Sequence, residues 1–326
     1  IRTEGEVESA LAAAYAARRA CAEVSTGRKV AILRSVAARL AERSETFATT
    51  IVEEVEKPID LARAEVARAV ATFESATDAA AEDVGERIAL DRAPTFAPRE
   101  AIVRRVPAGV VAAITPFNFP LNLVAHKVAP AIAAGCPVLL KPAPAAPRVA
   151  ILLAALVREA GWPEGGLAVL PLADDALAAP LIEDRRVRVL TFTGSAAVGW
   201  ALRDRAREKA VGLELGGDAF AIVHSDADVA HAAARCAFGA FAYAGQVCIS
   251  VQHVLVARSR YEAFVDAFLA ATDALKVGDP REDGVVVGPM LRDRDADRVD
   301  AWIAEARAGG ARVLRDSGRD ERLVGP

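Results

Sequence analysis

The sequence has few of the residues from which metal sites and disulfide frameworks are built. Its four cysteines, at positions 21, 136, 236 and 248, follow no metal-binding or redox spacing, and four in 326 residues do not make a disulfide framework. The four histidines, at 126, 224, 231 and 253, form no HxxxH or HExxH pair. We therefore expect reduced thiols and no metal site.

Long apolar runs and clusters of basic residues are also missing. Apolar stretches such as 149–157 are far shorter than the roughly 20 residues that cross a bilayer, and residues 1–6 contain no apolar signal core. The net charge is −4, with no lysine- or arginine-rich run of the kind that follows a phosphate backbone. We expect no nucleic-acid partner, no membrane association and a cytoplasmic location.

Lysine and asparagine are rare, which makes their positions informative. Lysine occurs only at 29, 57, 127, 141, 209 and 276, and asparagine only at 118 and 122. Asn118 lies between Pro116 and Pro120, and Lys141 is followed by Pro142. A residue type that the chain seldom uses thus occurs inside motifs rich in proline.

The length and the apolar pattern predict two α/β domains. A chain of 326 residues with 53% hydrophobic residues exceeds what one core usually serves. Residues 7–86 have apolar positions at three- and four-residue spacing, which predicts amphipathic helices, and 88–106 predict an edge hairpin or connector because prolines interrupt them. We place the domain boundary between 1–217 and 218–326, and the second domain looks incomplete because no closing helix or strand is predicted.

Short apolar runs that alternate with helical stretches predict a parallel sheet covered on both faces. Its predicted strands are 109–114, 137–140, 167–170, 187–192 and 211–215, with crossover helices at 148–159 and 195–209. The second domain is predicted to contain strands at 220–224 and 251–257 and helices at 229–242, 260–275 and 293–309, the first of them capped by residues 225–228. Ligands of such sheets bind beyond the carboxyl ends of the strands, where the motifs of this chain lie.

The segment 114–120, Ile-Thr-Pro-Phe-Asn-Phe-Pro, follows the first strand of the sheet. Its prolines stiffen the backbone and would hold the Asn118 amide in a fixed orientation, as an oxyanion donor requires. Asn118 also fits a turn in which its side chain bonds its own backbone. Spacing alone leaves both interpretations open.

Two further strand ends suit a nucleotide. Lys141 places a single cation after one strand, and 192–199 predict a strand, a tight turn and a helix whose first N–H groups suit a pyrophosphate. Neither segment is a GxGxxG fingerprint or a Walker P-loop. A helix cap is an alternative explanation of Thr193 and Ser195 that needs no ligand.

Cys248 and Glu214 are the candidate nucleophile and base. Glu214 lies in the apolar run 211–215, where a buried charge is costly, although a surface carboxylate is an alternative. Cys248 follows Gly245 and Gln246, which favour an exposed turn, whereas Cys21, Cys136 and Cys236 are expected to be inert packing. A cysteine hydrolase would need a histidine base, and the odd offset of His253 along its strand points it to the opposite face.

Five segments, taken in order, resemble the aldehyde dehydrogenase superfamily. They are Pro-Phe-Asn-Phe-Pro at 116–120, Lys-Pro at 141–142, Phe-Thr-Gly-Ser at 192–195, Glu-Leu-Gly-Gly at 214–217 and Gly-Gln-Val-Cys at 245–248. Their order and separations match the family, and the resemblance covers nearly the whole chain. It implies an α/β protein with a Rossmann-like NAD(P)-binding domain and a second, catalytic domain that carries the cysteine.

The resemblance implies oxidation of an aldehyde to a carboxylic acid. Cys248 would attack the carbonyl, the Asn118 amide and the Cys248 N–H would hold the oxyanion, and Glu214 would activate the water that hydrolyses the thioester. Lys127 matches a family lysine near the pocket, with a proton relay and a purely structural role as alternatives. Other readings are a coenzyme A-acylating enzyme, whose members generally lack this glutamate, and a catalytically impaired or structural member.

The resemblance also implies NADP or NAD as cofactor. It puts Lys141 at the adenosine ribose, and the expected contacts are Thr115, Pro116, Phe117, Lys141, Ala143, Pro144, Phe192, Thr193, Gly194, Ser195, Val198, Leu215 and Gly216. Many NAD-preferring members have a glutamate three residues after the lysine, where this chain has Pro144. We expect NADP to be accepted at least as well as NAD, although the acids Asp174 and Asp175 oppose a phosphate.

Family members normally continue well beyond this length and supply a Glu-x-Phe-Gly-Pro segment and an oligomerisation strand. Neither follows Pro326, so a truncated chain is expected, and the full-length protein is expected to be a homodimer or homotetramer. The aldehyde itself is not predicted. Phe119, Leu123 and Ile249 indicate only an apolar inner wall.

Overall fold

A computed structural model describes residues 1–82, 85–316 and 318–326. They form two compact units, the first composed of Ile1–Ser44 and Val66–Glu214 and the second of Glu45–Glu65 and Leu215–Pro326. The sequence boundary at residue 217 lies close to the point where the chain leaves the first unit. It differs in one respect, because residues 45–65 belong to the second unit.

The N-terminal helices form as the apolar spacing predicts. They are α1 (Glu4–Ala22), α2 (Thr26–Glu42), α3 (Ser44–Val55) and α4 (Ile59–Glu82). α1 begins at a capping box, in which the Thr3 hydroxyl accepts a bond from the Glu6 N–H and the Glu6 carboxylate accepts one from the Thr3 N–H. In α2 the buried residues Ile32, Leu33, Val36, Ala37 and Leu40 make one stripe, so the helix buries a single face.

The next elements form an exposed hairpin, β1 (Glu86–Ala89) with β2 (Glu100–Val103), paired antiparallel. This confirms the edge hairpin predicted for 88–106.

A five-stranded sheet forms the centre of the first unit. Its strands are β3 (Val110–Ile114), β4 (Val138–Lys141), β5 (Leu167–Val169), β6 (Val187–Gly194) and β7 (Ala210–Leu215), in the order β5-β4-β3-β6-β7. β3 pairs parallel with β4 and β6, and β4 with β5. Every residue of β3 and β4 is buried, which explains why they are apolar except for Lys141 at the end of β4. The strand order reverses between β3 and β6, where open α/β sheets bind their ligands.

Four helices follow strands of this sheet: α5 (Asn122–Ala133), α6 (Pro147–Glu159), α7 (Ala179–Glu183) and α8 (Ala196–Ala206). α6 and α8 confirm the predicted crossover helices, whereas α5 and α7 were not predicted. Eight of the 12 residues of α5 are buried, so its sequence lacks the polar face that marks an amphipathic helix. α7 has only five residues, too few for a periodic signal.

The second unit contains a two-stranded parallel sheet, β8 (Ala219–Val223) and β9 (Val251–Val256). α9 (Val229–Phe241) and α10 (Tyr261–Asp273) contribute to its core, where Val223 and Phe264 are buried. The Asp228 carboxylate accepts a bond from the His231 N–H and caps α9, as the sequence predicts.

The end of the chain differs from the prediction. After α11 (Asp293–Ala308), two short strands, β10 (Arg319–Asp320) and β11 (Leu323–Val324), pair antiparallel. The expectation of no closing strand was therefore wrong. Two-residue strands are too short to leave an alternating pattern in the sequence.

A buried ion pair lies inside residues 45–65, and Tyr243 connects this segment to the rest of the second unit. Lys57 Nζ lies 2.6 Å from Glu65 Oε2, and their side chains are 2% and 0% exposed. The Lys57 ammonium also lies 5.2 Å from the centre of the Tyr243 ring, and the Tyr243 hydroxyl donates to the Val55 carbonyl at 2.8 Å. Because the ion pair is buried, loss of either charged partner would leave the other charge uncompensated in the interior.

We expect Lys57→Met to lower the free energy of unfolding by about 3–5 kcal/mol, because it removes the cation that pairs with the buried Glu65 carboxylate. The double variant K57M/E65L should recover most of that loss, since no unpaired charge remains. Lys276→Met, at an exposed ion pair of the same unit, should cost at most about 1 kcal/mol. Chemical denaturation measures all three. A double variant as unstable as K57M would show that the charge is not the source of the loss.

Candidate active site

Two buried hydroxyl groups mark the point where the strand order reverses. Thr115 follows β3 and Thr193 lies near the end of β6, two strands that pair side by side up to Ile114 and Phe192. Thr115 and Thr193 are 5% and 9% exposed, and neither hydroxyl has a hydrogen-bond partner among the described residues. An unsatisfied buried polar group costs about 1–3 kcal/mol. The two hydroxyls therefore fit a polar ligand at the carboxyl edge of the sheet.

The turn after β6 leaves the start of α8 open. A Cβ on Gly194 would lie 2.5 Å from the Phe192 ring, so a larger residue would have to displace that buried ring. Ser195 occupies the N-cap position with an extended backbone, but its side chain makes no capping bond. Ser195, Ala196 and Val198 are exposed. The alternative in which Ser195 simply caps the helix is therefore wrong, and the first N–H groups of α8 suit an anion.

Lys141 ends β4, next to the same edge. The Thr115 N–H donates to the Lys141 carbonyl at 3.1 Å, which places the two predicted cofactor residues side by side. The Lys141 side chain is 10% exposed, and its Nζ lies 2.8 Å from Asp175 Oδ1. Asp175 was not predicted as its partner, since ion pairs between separate loops leave no sequence signal.

The Asn118 segment connects β3 to α5 and is half-buried. α4 contacts it from the side. The Arg68 guanidinium carbon lies 5.5 Å from the centre of the Phe119 ring, and Thr72 Oγ1 lies 3.1 Å from Asn122 Oδ1, in hydrogen-bond contact. α4 therefore supports the start of α5 and places a cation beside the neighbour of Asn118.

Lys127 lies on α5 with its side chain in the interior. It is 7% exposed, and its ammonium donates to the Thr191 hydroxyl at 2.9 Å. Burial lowers the pKa of Lys127 to about 8, and the negative charge of Glu214 opposes that shift. Partial desolvation, followed by the charges of Arg68 and Lys127, also lowers the pKa of His126. The surroundings of α5 are thus electropositive.

Glu214 lies near the end of β7 at the surface of the unit, which is the alternative that the sequence left open beside a buried charge. β7 is an edge strand whose residues alternate between exposed and half-buried, and Glu214 is on its exposed face. An apolar run need not bury every residue, because successive side chains of a strand point to opposite faces and one face of β7 is exposed. The carboxylate is therefore accessible to water, and its negative charge interacts with the Lys127 ammonium.

Cys248 lies in the second unit, on a turn before β9, and it is exposed as predicted. Cys21, Cys136 and Cys236 are buried, and burial raises the pKa of Cys21 to about 11.

The turn before Cys248 is strained. Tyr243 and Ala244 have left-handed backbones, with φ of 55° and 53°, and Gly245 follows with φ of 70°. Tyr243 holds the strained turn, because its N–H donates to the Val286 carbonyl and its hydroxyl to the Val55 carbonyl.

His253 has contacts of its own within the second unit. Its ring stacks on Phe220 with centroids 4.4 Å apart, and its Nε2 lies 3.0 Å from Asp218 Oδ1. These partners give the imidazole a structural role on β8 and β9, which does not favour a cysteine hydrolase.

Over the ranges that the structure describes, no group of three or more His, Cys, Asp or Glu residues is arranged to hold a metal ion. Over the same ranges, no helix is long and apolar enough to cross a membrane.

The order of the parallel strands, with polar residues at their carboxyl edge, defines a Rossmann-like α/β protein. Residues 2–326 match the model of the aldehyde dehydrogenase family. The chain belongs to this family.

Similar proteins of known function or structure agree with this assignment. The 3-sulfolactaldehyde dehydrogenase of Priestia aryabhattai is 41% identical over 320 residues, which are 98% of this chain and 67% of the relative. A crystal structure of aldehyde dehydrogenase 21 from Physcomitrella patens, in complex with the reaction product succinate, matches with a TM-score of 0.95 and 37% identity over 99% of this chain and 68% of that one. The glyceraldehyde-3-phosphate dehydrogenase GapN of Methanocaldococcus jannaschii, complexed with NADP, matches with a TM-score of 0.94 and 34% identity, over 99% and 71% of the two chains. The chain thus spans about two thirds of the length of its relatives.

The depressed pKa of Lys127 predicts a pH-dependent stability. Because the folded-state pKa of about 8 is below the ordinary value of 10.5, the unfolded chain binds more protons between these values, and stability rises with pH across this window. Relative to Lys127→Met, which lacks the titration, the wild type should gain about 2 kcal/mol of unfolding free energy from pH 7 to pH 10. Parallel urea titrations of both proteins measure this difference, and a difference that stays constant with pH would contradict it.

Proposed function

We propose that the protein oxidises an aldehyde to a carboxylic acid with NAD or NADP as the hydride acceptor. The observation that carries the proposal is the pair of unsatisfied buried hydroxyls, Thr115 and Thr193, at the reversal of strand order. Family membership and the NADP complex of the Methanocaldococcus jannaschii relative support it.

The residues at the carboxyl edge fit the two halves of a dinucleotide. Lys141 would bind the adenosine ribose, the N–H groups after Gly194 and Ser195 the pyrophosphate, and the segment from Thr115 to Phe117 the nicotinamide half. Glycine at 194 keeps the backbone accessible, as the close approach of a phosphate requires. When bound, the cofactor supplies the acceptor for the hydride.

The chemistry on the protein has two stages. Cys248 Sγ attacks the carbonyl carbon, and the oxyanion of the thiohemiacetal accepts bonds from the Asn118 amide and the Cys248 N–H. Loss of hydride from that carbon leaves a thioester on Cys248. Glu214 then takes a proton from water, the water oxygen attacks the thioester carbon, and the carboxylic acid leaves as the thiolate reforms.

Lys127 has two possible roles in this scheme. Its lowered pKa and its proximity to the Glu214 charge suit a proton relay, whereas its bond to Thr191 suits an anchor between α5 and β6. The exposed carboxylate of Glu214 favours hydrolysis over transfer of the acyl group to coenzyme A. The cytoplasmic location and the homo-oligomer remain predictions from the sequence.

We infer that the substrate carries an anionic group at a distance from its aldehyde. Arg68 has no ion-pair partner among the described residues, and it lies over Phe119, next to Asn118. Together with Thr72 and His126 it lines a cavity of about 690 Å³. A guanidinium beside such a cavity is suited to a carboxylate or a sulfonate. The names of the relatives, with 3-sulfolactaldehyde as a substrate and succinate as a product, support this class.

The two-stage scheme predicts separable effects of two substitutions. Glu214→Gln should still release one equivalent of reduced cofactor in a burst and then turn over about a hundredfold more slowly, because only deacylation is impaired. Cys248→Ser should show no burst. Stopped-flow absorbance of the reduced nicotinamide measures both, with Glu208→Gln, an exposed glutamate of the same unit, as the control. An unchanged steady-state rate in E214Q would remove Glu214 from deacylation.

The anionic substrate class predicts a selective effect at Arg68. Arg68→Gln should raise KM for succinic semialdehyde roughly tenfold or more, since a charge-assisted bond is lost, and should leave butanal nearly unchanged. Arg34→Gln removes the same charge from an exposed position on α2 and should affect neither aldehyde. Equal losses on both aldehydes in R68Q would argue for a structural role of Arg68 instead.

A further inference from the structure

The contact between Lys141 and Asp175 joins the ends of two neighbouring strands. Lys141 ends β4, and Asp175 lies in the loop that follows β5. The Leu170 N–H donates to the Leu140 carbonyl at 2.7 Å, which ties the two strand ends together. Asp174 then fixes the loop, because its carboxylate accepts a bond from the Ala176 N–H at 2.8 Å. Asp175 is therefore held in place beside the lysine.

The contact contributes little to stability. The Asp175 side chain is 82% exposed, and an ion pair with one partner in water is worth at most about 1 kcal/mol. The Lys141 ammonium, in contrast, is largely desolvated, so a charge beside it strongly affects its affinity for a ligand. Asp175 therefore contributes more to ligand binding beside Lys141 than to the stability of the fold.

Sheet topology favours the adenosine ribose as the ligand of Lys141. With β3 as the first strand of the nucleotide-binding order, β4 is the second, and in doubly wound sheets a carboxylate after the second strand receives the ribose 2′-hydroxyl of NAD. This chain has a lysine at that strand end and supplies a carboxylate from the next strand along the sheet. At position 144, three residues after the lysine, this chain has proline in place of the glutamate of many NAD-preferring relatives. Asp175, in the loop after β5, supplies a carboxylate beside Lys141 instead.

We propose that Asp175 determines cofactor preference: it shares the Lys141 ammonium with the ribose hydroxyls of NAD and excludes the 2′-phosphate of NADP. This rests on the proposed function, because it takes the carboxyl edge to be the dinucleotide site. A ribose hydroxyl donates to the Asp175 carboxylate and accepts from the Lys141 ammonium. A 2′-phosphate would add about two negative charges beside that carboxylate and could not donate. The acceptance of NADP that Pro144 favours is thus opposed by a residue from another loop.

Equilibrium binding of two small probes tests the proposal without turnover. Adenosine 5′-monophosphate and adenosine 2′,5′-bisphosphate differ only in the 2′-phosphate, and calorimetry gives the affinity of each for the whole protein. Wild type should prefer the monophosphate. Asp175→Asn should raise the affinity for the bisphosphate relative to the monophosphate roughly tenfold, because a like-charge contact is removed. The ratio of kcat/KM for NADP and NAD should move in the same direction.

Three controls make the result specific. Asp174→Asn removes the same charge one residue away and keeps a capping oxygen, so it should change the probe ratio much less than Asp175→Asn does. Lys141→Met should weaken both probes, since both contact the ammonium. Thermal melting should place D175N within a few degrees of the wild type, which separates recognition from folding.

The outcomes distinguish this proposal from the proposed function. An unchanged probe ratio in D175N, or an equal change in D174N, overturns the role of Asp175 even if aldehydes are oxidised. Failure of both probes to bind at millimolar concentration overturns it together with the dinucleotide site. Binding with the expected shift, but without oxidation of any aldehyde, would support Asp175 and contradict the proposed function alone.

Discussion

The parallel pairing of β3 with both β4 and β6 is the constraint on which the first unit depends. A strand that is hydrogen-bonded on both edges and buried on both faces favours apolar residues, and β3 contains no others. Because the paired strands run in the same direction, their carboxyl ends meet at one edge. The polar residues at these ends, Thr115, Lys141 and Thr193, are thereby brought together although they are far apart in the chain.

The electrostatics of this unit differ from those of the chain as a whole. The protein has a net charge of −4, yet Arg68 and Lys127 lie close to His126 around the start and middle of α5, and Lys141 lies at the adjacent strand end. The carboxylates near these cations, Glu214 and Asp175, are both exposed. Lys127 and Lys141 are buried, Arg68 is exposed beside them, and together these cations create a region that attracts anions and positions them. Such a region suits a negatively charged cofactor and a negatively charged substrate.

Much of the fold was predictable because it depends on local pattern. The helices α1 to α4, the edge hairpin, the five strands of the sheet and the cap of α9 at Asp228 all follow from apolar spacing or capping chemistry. The pattern failed where periodicity carries no information. The buried helix α5 has no polar face, β10 and β11 are too short to alternate, and the apolar run at β7 did not reveal an edge strand that exposes Glu214.

The sequence by itself determined the residue types and their order: Asn118 between two prolines, Lys141 after a buried strand, glycine at 194, and Glu214 followed later by Cys248. These depend on short-range backbone chemistry, which the neighbouring residues set. Only the tertiary structure decided the partners: Asp175 on Lys141, Thr191 on Lys127, Arg68 over Phe119, and Tyr243 supporting the turn before Cys248. Each of these contacts joins segments whose distance in space is set by sheet order and helix packing, and no spacing along the chain encodes that distance.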